Sequence, residues 1–586
     1  MPSADPRAPT PIARLGRVLV EDRGDLFLLV SYACITGLLA LVTPLAVQAL
    51  VNNIAAGLSL QPVVVLSFLL LVGLSLNGAL LAAELALVES IQQRLFARLS
   101  LRMARRLILA RPGALTGTYG PELVNRFFDV VNIQKALAKI LLDGFAAGLQ
   151  ALVGLTLLSF YDLRLFGFDL LLVIFLIFVV WPLGIGALRS SMAESSRKYQ
   201  VASWLEELAR CATGFKLHAS PAFLIARADD RIVAWLAERR RHFAVVWRQE
   251  IGNQTFQALA GAGILAIGGV LVVQQDITLG QLVAAQLIVG AVLKAFDKLL
   301  RKADSFYDLL TGLEKTAVIT DLPEERDGGL PVPELPGGGA SLVCRGVRFA
   351  YPGYPEVLSG LDLDLRPGER VSLVGASGAG KSTLAALVCG LQEATAGRIE
   401  VNGVDVRAAD LDSLRQVVTT AGYSAEIFEG TVEENIVCGR ENIEPDRVRW
   451  ALGIAQFSED VDRMPEGLRT RLVAGGQNLS RGQIQRLMIA RAVLERPALL
   501  ILDEALTGLD ESTSQRILDA LFAPEHPWTI VDISHEPAVV QRADTVHVLA
   551  DGRIAESGSV DELIQLPDGA FEGLFPALTR TRRVGE

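Results

Sequence analysis

The sequence predicts a multi-domain membrane protein: an all-α domain with six membrane-crossing helices, followed by an α/β domain. Three observations predict it. Six long apolar runs crowd into the first half. Charge divides sharply between the halves. A glycine-rich loop at residues 375–382 joins an aliphatic run to a helical one.

The length, 586 residues, exceeds what one core supports. Hydrophobic residues make up 51% and the mean hydropathy is +0.37, high for a soluble protein. Residues 1–320 carry 30 Lys+Arg against 23 Asp+Glu, while residues 321–586 carry 25 against 42. An acidic second half argues against nucleic acid as its partner. The five cysteines are scattered without metal-ligand spacing, as in a reducing compartment. Residues 1–10 lack the apolar core of a cleavable signal. Residues 1–24 read as a cytosolic or interfacial lead-in, basic and partly amphipathic.

The apolar runs cover residues 26–50, 63–87, 144–160, 166–185, 251–273 and 279–296. Most approach the roughly 20 residues needed to cross a hydrocarbon core. Arg94, Arg98, Arg102, Arg105, Arg106, Arg111 and Arg126 lie between runs two and three. A second basic set, from Arg189 to Arg241, lies between runs four and five. Only Arg164 is basic in the three short links. The excess of basic residues puts the long links, both termini and the second half in the cytosol of an inner-membrane protein. The transmembrane domain spans residues 25–320.

Residues 89–110 and 192–250 are charged and largely free of Pro, so they read as membrane helices continuing into the cytosol. Breaks are expected at Arg111-Pro-Gly113 and near Pro221. Residues 120–129 and 204–215 form amphipathic candidates at the cytosolic tips. Glu84, Asp143 and Asp169 fall near run ends, and no charge stands convincingly at a membrane centre. Asn77, Gln150, Gln257 and Gln286 lie deeper, where they either join helices or line a cavity.

Residues 321–339 are a Pro/Gly-rich linker by composition. In the following domain, residues 340–580, Gly375-Ala-Ser-Gly-Ala-Gly-Lys-Ser382 fits the phosphate-loop pattern between a buried strand and a helix. Gly375, Ser377, Gly378, Ala379 and Gly380 would cup a phosphate with backbone N–H groups. Thr383 follows on the helix. Lys381 would reach the β/γ-phosphates of a nucleotide, and Ser382 would hold Mg²⁺. Ala498-Leu-Leu-Ile-Leu-Asp503-Glu504 reads as a buried strand ending in paired acids. Asp503 would join the Mg²⁺ shell, and Glu504 would polarise an attacking water. Tyr351, after an edge strand, offers an aromatic face to a base. Leu479-Ser480-Arg481-Gly482-Gln483 opens a helix, again offering free N–H groups. His535 follows the apolar run 528–534.

In this order, Tyr351, residues 375–382, 479–483, Asp503-Glu504 and His535 resemble the ATP-binding cassette ATPase. Six apolar runs before the cassette resemble an ABC exporter half-transporter. The resemblance implies a P-loop ATPase domain with an α-helical subdomain, ATP and Mg²⁺ as ligands, and a head-to-tail dimer. A homodimer is expected, with a heterodimer possible, in contact with membrane lipid. Each ATP would lie between one chain's phosphate loop and Ser480, Arg481, Gly482 and Gln483 of the other. Glu504 would be the catalytic base, His535 the switch residue, and Asp510 part of the loop joining the two sites. Lys381 would complete the catalytic set.

Several positions depart from the family pattern. Tyr423 stands at the position of the Q-loop glutamine, and Arg481 where Gly is commoner. The dimer loop reads Thr507-Gly508-Leu509-Asp510, and Ala474 replaces a frequent Glu. The leading expectation is ATP-driven export of a lipid, a hydrophobic small molecule or a peptide by alternating access. An ATP-gated regulator or channel is the alternative. Residues 581–586 read as a tail.

Overall fold

The computed structural model describes residues 9–55, 61–115, 123–422, 426–566, 568–576 and 578. Tyr423, part of the 120–129 candidate and the 581–586 tail lie outside the described residues. The chain divides into two compact units. One comprises Met1–Ala110 and Leu115–Glu324; the other comprises Arg111–Ala114 and Glu325–Glu586.

Among the described residues, six helical segments of the first unit are long and apolar enough to cross a membrane: Arg23–Ala55, Gln61–Leu109, Phe127–Ser159, Leu163–Val180, Pro221–Val273 and Leu279–Thr320. Three run to 49, 53 and 42 residues. At 1.5 Å per residue each is roughly 60–80 Å long, about twice a ~30 Å hydrocarbon core. These long helices therefore extend well beyond the bilayer at one end. Short links are tied down locally. Asp162 caps Leu163–Val180, and a Thr278/Gln281 capping box opens the last helix. Arg164 joins the two links by binding Gln274 at 2.7 Å and Asp276 at 2.6 Å.

The fourth membrane segment does not continue unbroken into the long link, as its apolar pattern suggests. It ends at Val180, passes through a non-helical turn, and restarts at Ala187 after Gly186, whose φ is +91°. Pro182 contributes no N–H to a helix. The carbonyls freed by the turn accept hydrogen bonds from Arg248 and Gln249 of the neighbouring long helix. The expected break near Pro221 is present: helix Ala212–His218 ends two residues earlier.

Residues 11–21 form a helix that is anchored rather than loose. Val18 is buried with Leu95, Leu99 and Leu313. Arg98 pairs with Asp22, and Arg102 with Glu21 at 3.1 Å. Part of the basic link is thus neutralised by the chain's own first turn. Gln257 and Asn253 both donate to Asp297, at 3.4 and 2.8 Å, so at Gln257 helix joining is observed.

In the second unit, β1 (Leu342–Ala350), β2 (Glu356–Leu365), β4 (Ala396–Val401) and β5 (Val404–Asp405) form an antiparallel sheet ordered β2-β1-β4-β5. A six-stranded sheet packs beside it. Its members are β3 (Arg370–Gly375), β6 (Val418–Ala421), β9 (Leu499–Asp503), β10 (Thr529–Ile533), β11 (Thr545–Ala550) and β12 (Arg553–Gly558). The order is β12-β11-β3-β10-β9-β6, parallel except for β12. The buried strands are mostly aliphatic, as a sheet covered on both faces requires. Between β6 and β9, short helices at Val432–Val437, Pro445–Ile454 and Ser458–Arg463 lead into Arg481–Val493, with a small ribbon of β7 (Gly430–Thr431) and β8 (Arg471–Leu472). Their own core centres on Phe457, Ile436, Leu487 and Ile489.

The stretch that composition marks as a linker is, from Glu325 on, a strap on this unit. Leu330 exchanges backbone hydrogen bonds with Ala408 and Asp410, both 2.8 Å. Arg415 binds Glu325 through two hydrogen bonds, and Val332 enters the core. Pro/Gly-rich composition does not distinguish a free linker from an extended arm whose polar groups find partners.

Candidate functional site

The parallel strands end together. Register pairs Ile533 with Asp503 and Leu549 with Gly375, so β3, β9, β10 and β11 present their C-terminal ends along one edge. That edge is where open α/β sheets bind ligands. Residues 376–380 leave β3 and feed helix Lys381–Val388. Gly378 and Gly380 hold φ of +83° and +106°, and a Cβ on Gly380 would press on Leu358 at 2.8 Å. The loop can close on the antiparallel sheet only without that side chain.

Lys381 is 7% exposed, and its ammonium donates to the carbonyls of Gly375 (2.8 Å) and Ala376 (3.0 Å). Burial lowers its pKa, opposed by Glu504 and Asp503. The side chain of Ser382 hydrogen-bonds the Asp503 carboxylate, which burial pushes upward. A hydroxyl and a carboxylate side by side form an oxygen donor set of the kind Mg²⁺ takes. Glu504 is exposed and sits at φ +51°, with its N–H held by the Ile533 carbonyl at 2.9 Å. A non-glycine residue in the left-handed region is costly, and such strain concentrates at working sites. His535 is exposed just beyond β10, at the same edge.

A cleft of about 600 Å³ adjoins the loop, lined by Tyr351, Tyr354, Val357, Ser377, Gly378 and Ala379, among others. Tyr351 meets Phe349 edge-on at 4.8 Å, and its hydroxyl lies 3.3 Å from that of Thr383. The structure therefore brings Tyr351 to the phosphate loop, although 24 residues part it from Gly375.

Residues 480–483 lie elsewhere in the unit. Ser480 and Gln483 form a capping box at the start of Arg481–Val493. The Gln483 amide donates to Asp460 at 3.0 Å, and Arg486 holds the same carboxylate at 2.6 Å. The side chain of Arg481 packs 3.4 Å from where a Gly508 Cβ would stand. Asp510 caps helix Glu511–Leu521 by accepting from Thr513 N–H (2.9 Å) and Ser512 Oγ (2.6 Å). Those bonds hold its carboxyl well below the usual range. None of residues 480–483 lines the cleft at the phosphate loop.

Two acids beside the site escape motif reasoning. Asp532 is 3% exposed inside β10, and Glu536 follows His535. Burial raises both, that of Asp532 strongly, with Glu536 and Asp503 adding repulsion. The signal in the sequence is an aspartate interrupting Thr-Ile-Val-Asp-Ile, a strand otherwise suited to full burial.

Residues 358–507 match the family model described as ABC transporter. The chain is 32% identical to the mycobactin import ATP-binding/permease protein of Mycolicibacterium thermoresistibile over 54% of its own length, spanning about half (55%) of that protein. It is 30% identical to the ATP-dependent lipid A-core flippase of Chromobacterium violaceum over 82% of this chain and 81% of the flippase. Its fold resembles a bacterial Atm1-family ABC exporter with ATP bound, at TM-score 0.82 and 23% identity, covering 97% of this chain and 99% of that one. At 30% identity to the flippase over 82% of its length, the chain belongs to the ABC transporter family, as an exporter-type half-transporter with six membrane-length apolar helices among the described residues and an ATPase cassette.

Proposed function

We propose that two copies of this chain pair head to tail and use ATP to move a solute outward across the cytoplasmic membrane, with both termini and the cassette in the cytosol. One observation carries the reading: the cassette holds two half-sites that do not meet within a chain. The phosphate-loop cleft includes none of residues 480–483, while the N-terminus of Arg481–Val493 stays available to an anion. A second chain in the opposite orientation completes each half. Export is the direction named for the Atm1-family structure; the relative named for import aligns over only 55% of its length.

In this reading the nucleotide base rests against Tyr351, and the loop from Gly375 to Gly380 receives the phosphates. Lys381 exchanges its two carbonyl partners for phosphate oxygens, at no loss of hydrogen bonds. Ser382 and Asp503 would hold Mg²⁺, which when bound neutralises charge on the β/γ oxygens. Glu504 orients the attacking water, and its anchored backbone keeps the carboxylate beside Asp503. His535 reaches the γ-phosphate from the end of β10. Ser480 and Gly482 contact that phosphate from the second chain, with Gln483 and Arg486 fixing the helix start against Asp460. Asp510, engaged in capping, shapes the loop at the junction. ATP favours the closed pair and product does not, which gives a two-state cycle.

Replacing Glu504 by Gln tests this. Steady ATPase activity should fall by about 100-fold or more, while ATP-dependent closure of the pair persists. Unchanged turnover would refute the role of Glu504.

A further inference from the structure

The first unit contains a polar cavity of about 280 Å³, bounded by the helices Phe127–Lys139, Ala187–Arg210, Pro221–Val273 and Leu279–Thr320. Lys135, Lys139 and Lys198 lie on its wall, and among the described residues none of the three has an ion-pair partner within 4 Å. Hydroxyls of Ser191 and Thr311, 3.2 Å apart and both buried, lie on the same wall with His242.

Carboxylates on the same wall are already engaged. Asp129 accepts from Tyr199 at 2.5 Å, although its charge also acts on Lys198. Glu194 is held by Arg239 at 3.3 Å. Asp308 has a partner of its own. What remains is a concave surface of ammonium groups and hydroxyl donors. The three lysines are exposed on that wall, so their ammonium groups are open to an anion.

Position favours a dissolved anion over a lipid headgroup. Ser305, on the wall, is 26 residues past Leu279, roughly 39 Å along a helix rising 1.5 Å per residue. That lies beyond a ~30 Å hydrocarbon core, and Thr311 on the same wall, 32 residues past Leu279 and roughly 48 Å along, lies beyond the ~40–45 Å that includes the headgroups.

We propose that this cavity receives the transported solute, and that the solute is a small oxyanion with two or more charges, a di- or tricarboxylate or a phosphorylated compound. The inference rests on the export reading for what happens after binding. The lysines and hydroxyls supply charge-assisted hydrogen bonds to carboxylate or phosphate oxygens. Apolar solutes find no matching wall.

The test uses full-length protein in nanodiscs of phosphatidylcholine, without nucleotide. Binding of citrate and of pyrophosphate is measured by calorimetry, with triethyl citrate as the uncharged control. Saturable binding of at least one anion is expected, weakening with salt, with triethyl citrate silent. The triple variant K135Q/K139Q/K198Q should lose at least tenfold in affinity while keeping basal ATPase activity and thermal midpoint. The corresponding triple Arg variant should retain most of it. No anion binding, equal binding of the triethyl ester, or unchanged affinity in the Gln variant overturns the proposal. Competition by phosphatidylglycerol in the disc would assign the site to a headgroup and overturn it too. Anion binding without ATP-driven flux would sink the export reading alone. ATP-driven flux of an apolar solute with no anion binding would sink this inference alone.

Discussion

Arg248 donates two hydrogen bonds to the carbonyl of Leu183, at 2.9 and 2.6 Å, and a third at 3.2 Å to that of Ile185. Those carbonyls belong to the turn that interrupts the fourth membrane segment. A helix broken at an interface leaves carbonyls that need partners, and one guanidinium serves both. Methionine at position 248 keeps the stem and removes the donors. Arg248→Met should cut ATP-coupled flux several-fold while leaving nucleotide affinity unchanged, and Arg248→Lys should recover part of it. Equal flux in Arg248→Met and the parent would show that the turn needs no such support.

Ser382 and Asp503 form a second pair with a measurable consequence. Their oxygens are expected to share Mg²⁺, so either loss should appear first as weaker metal affinity. Ser382→Ala and Asp503→Asn should each raise the Mg²⁺ concentration for half-maximal ATPase activity by about tenfold or more, since one of few protein ligands is lost. Metal-free ATP binding should change far less. A Mg²⁺ titration with both variants checks this.

Asp532 makes a pH prediction. Its Oδ2 is buried with no hydrogen-bond partner among the described residues, and its pKa lies well above the ordinary 3.8. The groups facing it electrostatically are Glu536 and Asp503, both acids. A carboxyl whose folded pKa is raised favours folding in its protonated form. Stability is therefore retained below 3.8 and lost progressively as pH climbs from there to the folded value. Asp532→Asn should raise the thermal midpoint of the intact protein at pH 7 and flatten its decline as pH climbs above 3.8. Identical pH profiles for parent and variant would mean that the acid is compensated.

Much of this architecture is legible along the chain because its signals are contiguous. Six apolar runs and the motifs around Lys381, Ser480 and Asp503 each carry their chemistry within a few residues. The break after Val180 is not legible that way, since the apolar pattern runs on to Ile185 and a lone Pro182 also fits a kinked helix. The strap from Glu325 reads as a linker because only its partners at residues 406–410 distinguish the two. The lysine cavity draws on four helices spread over more than 170 residues, and each lysine by itself looks like a solvated face. Gln483 reads as a nucleotide contact by resemblance; its bonds to Ser480 and Asp460 add a structural task.

The strongest test of the divided site uses two inactive chains. Lys381→Met should abolish phosphate binding, and Ser480→Arg should block the anion-facing helix start while sparing the phosphate loop. Each variant alone should lose ATPase activity by about 100-fold or more, as removal of a principal transition-state contact does. Ser480→Arg protein should still bind ATP, because the cleft beside Ser377, Gly378 and Ala379 contains none of its altered residues. Co-expression then separates the geometries. In a mixed pair, the intact loop of the Ser480→Arg chain faces the intact signature of the Lys381→Met chain, so one site is whole and the other doubly broken. Turnover should reappear in mixed pairs isolated with two tags. If each chain built its site from its own loop and its own residues 480–483, both sites of the mixed pair would be damaged and no activity would return.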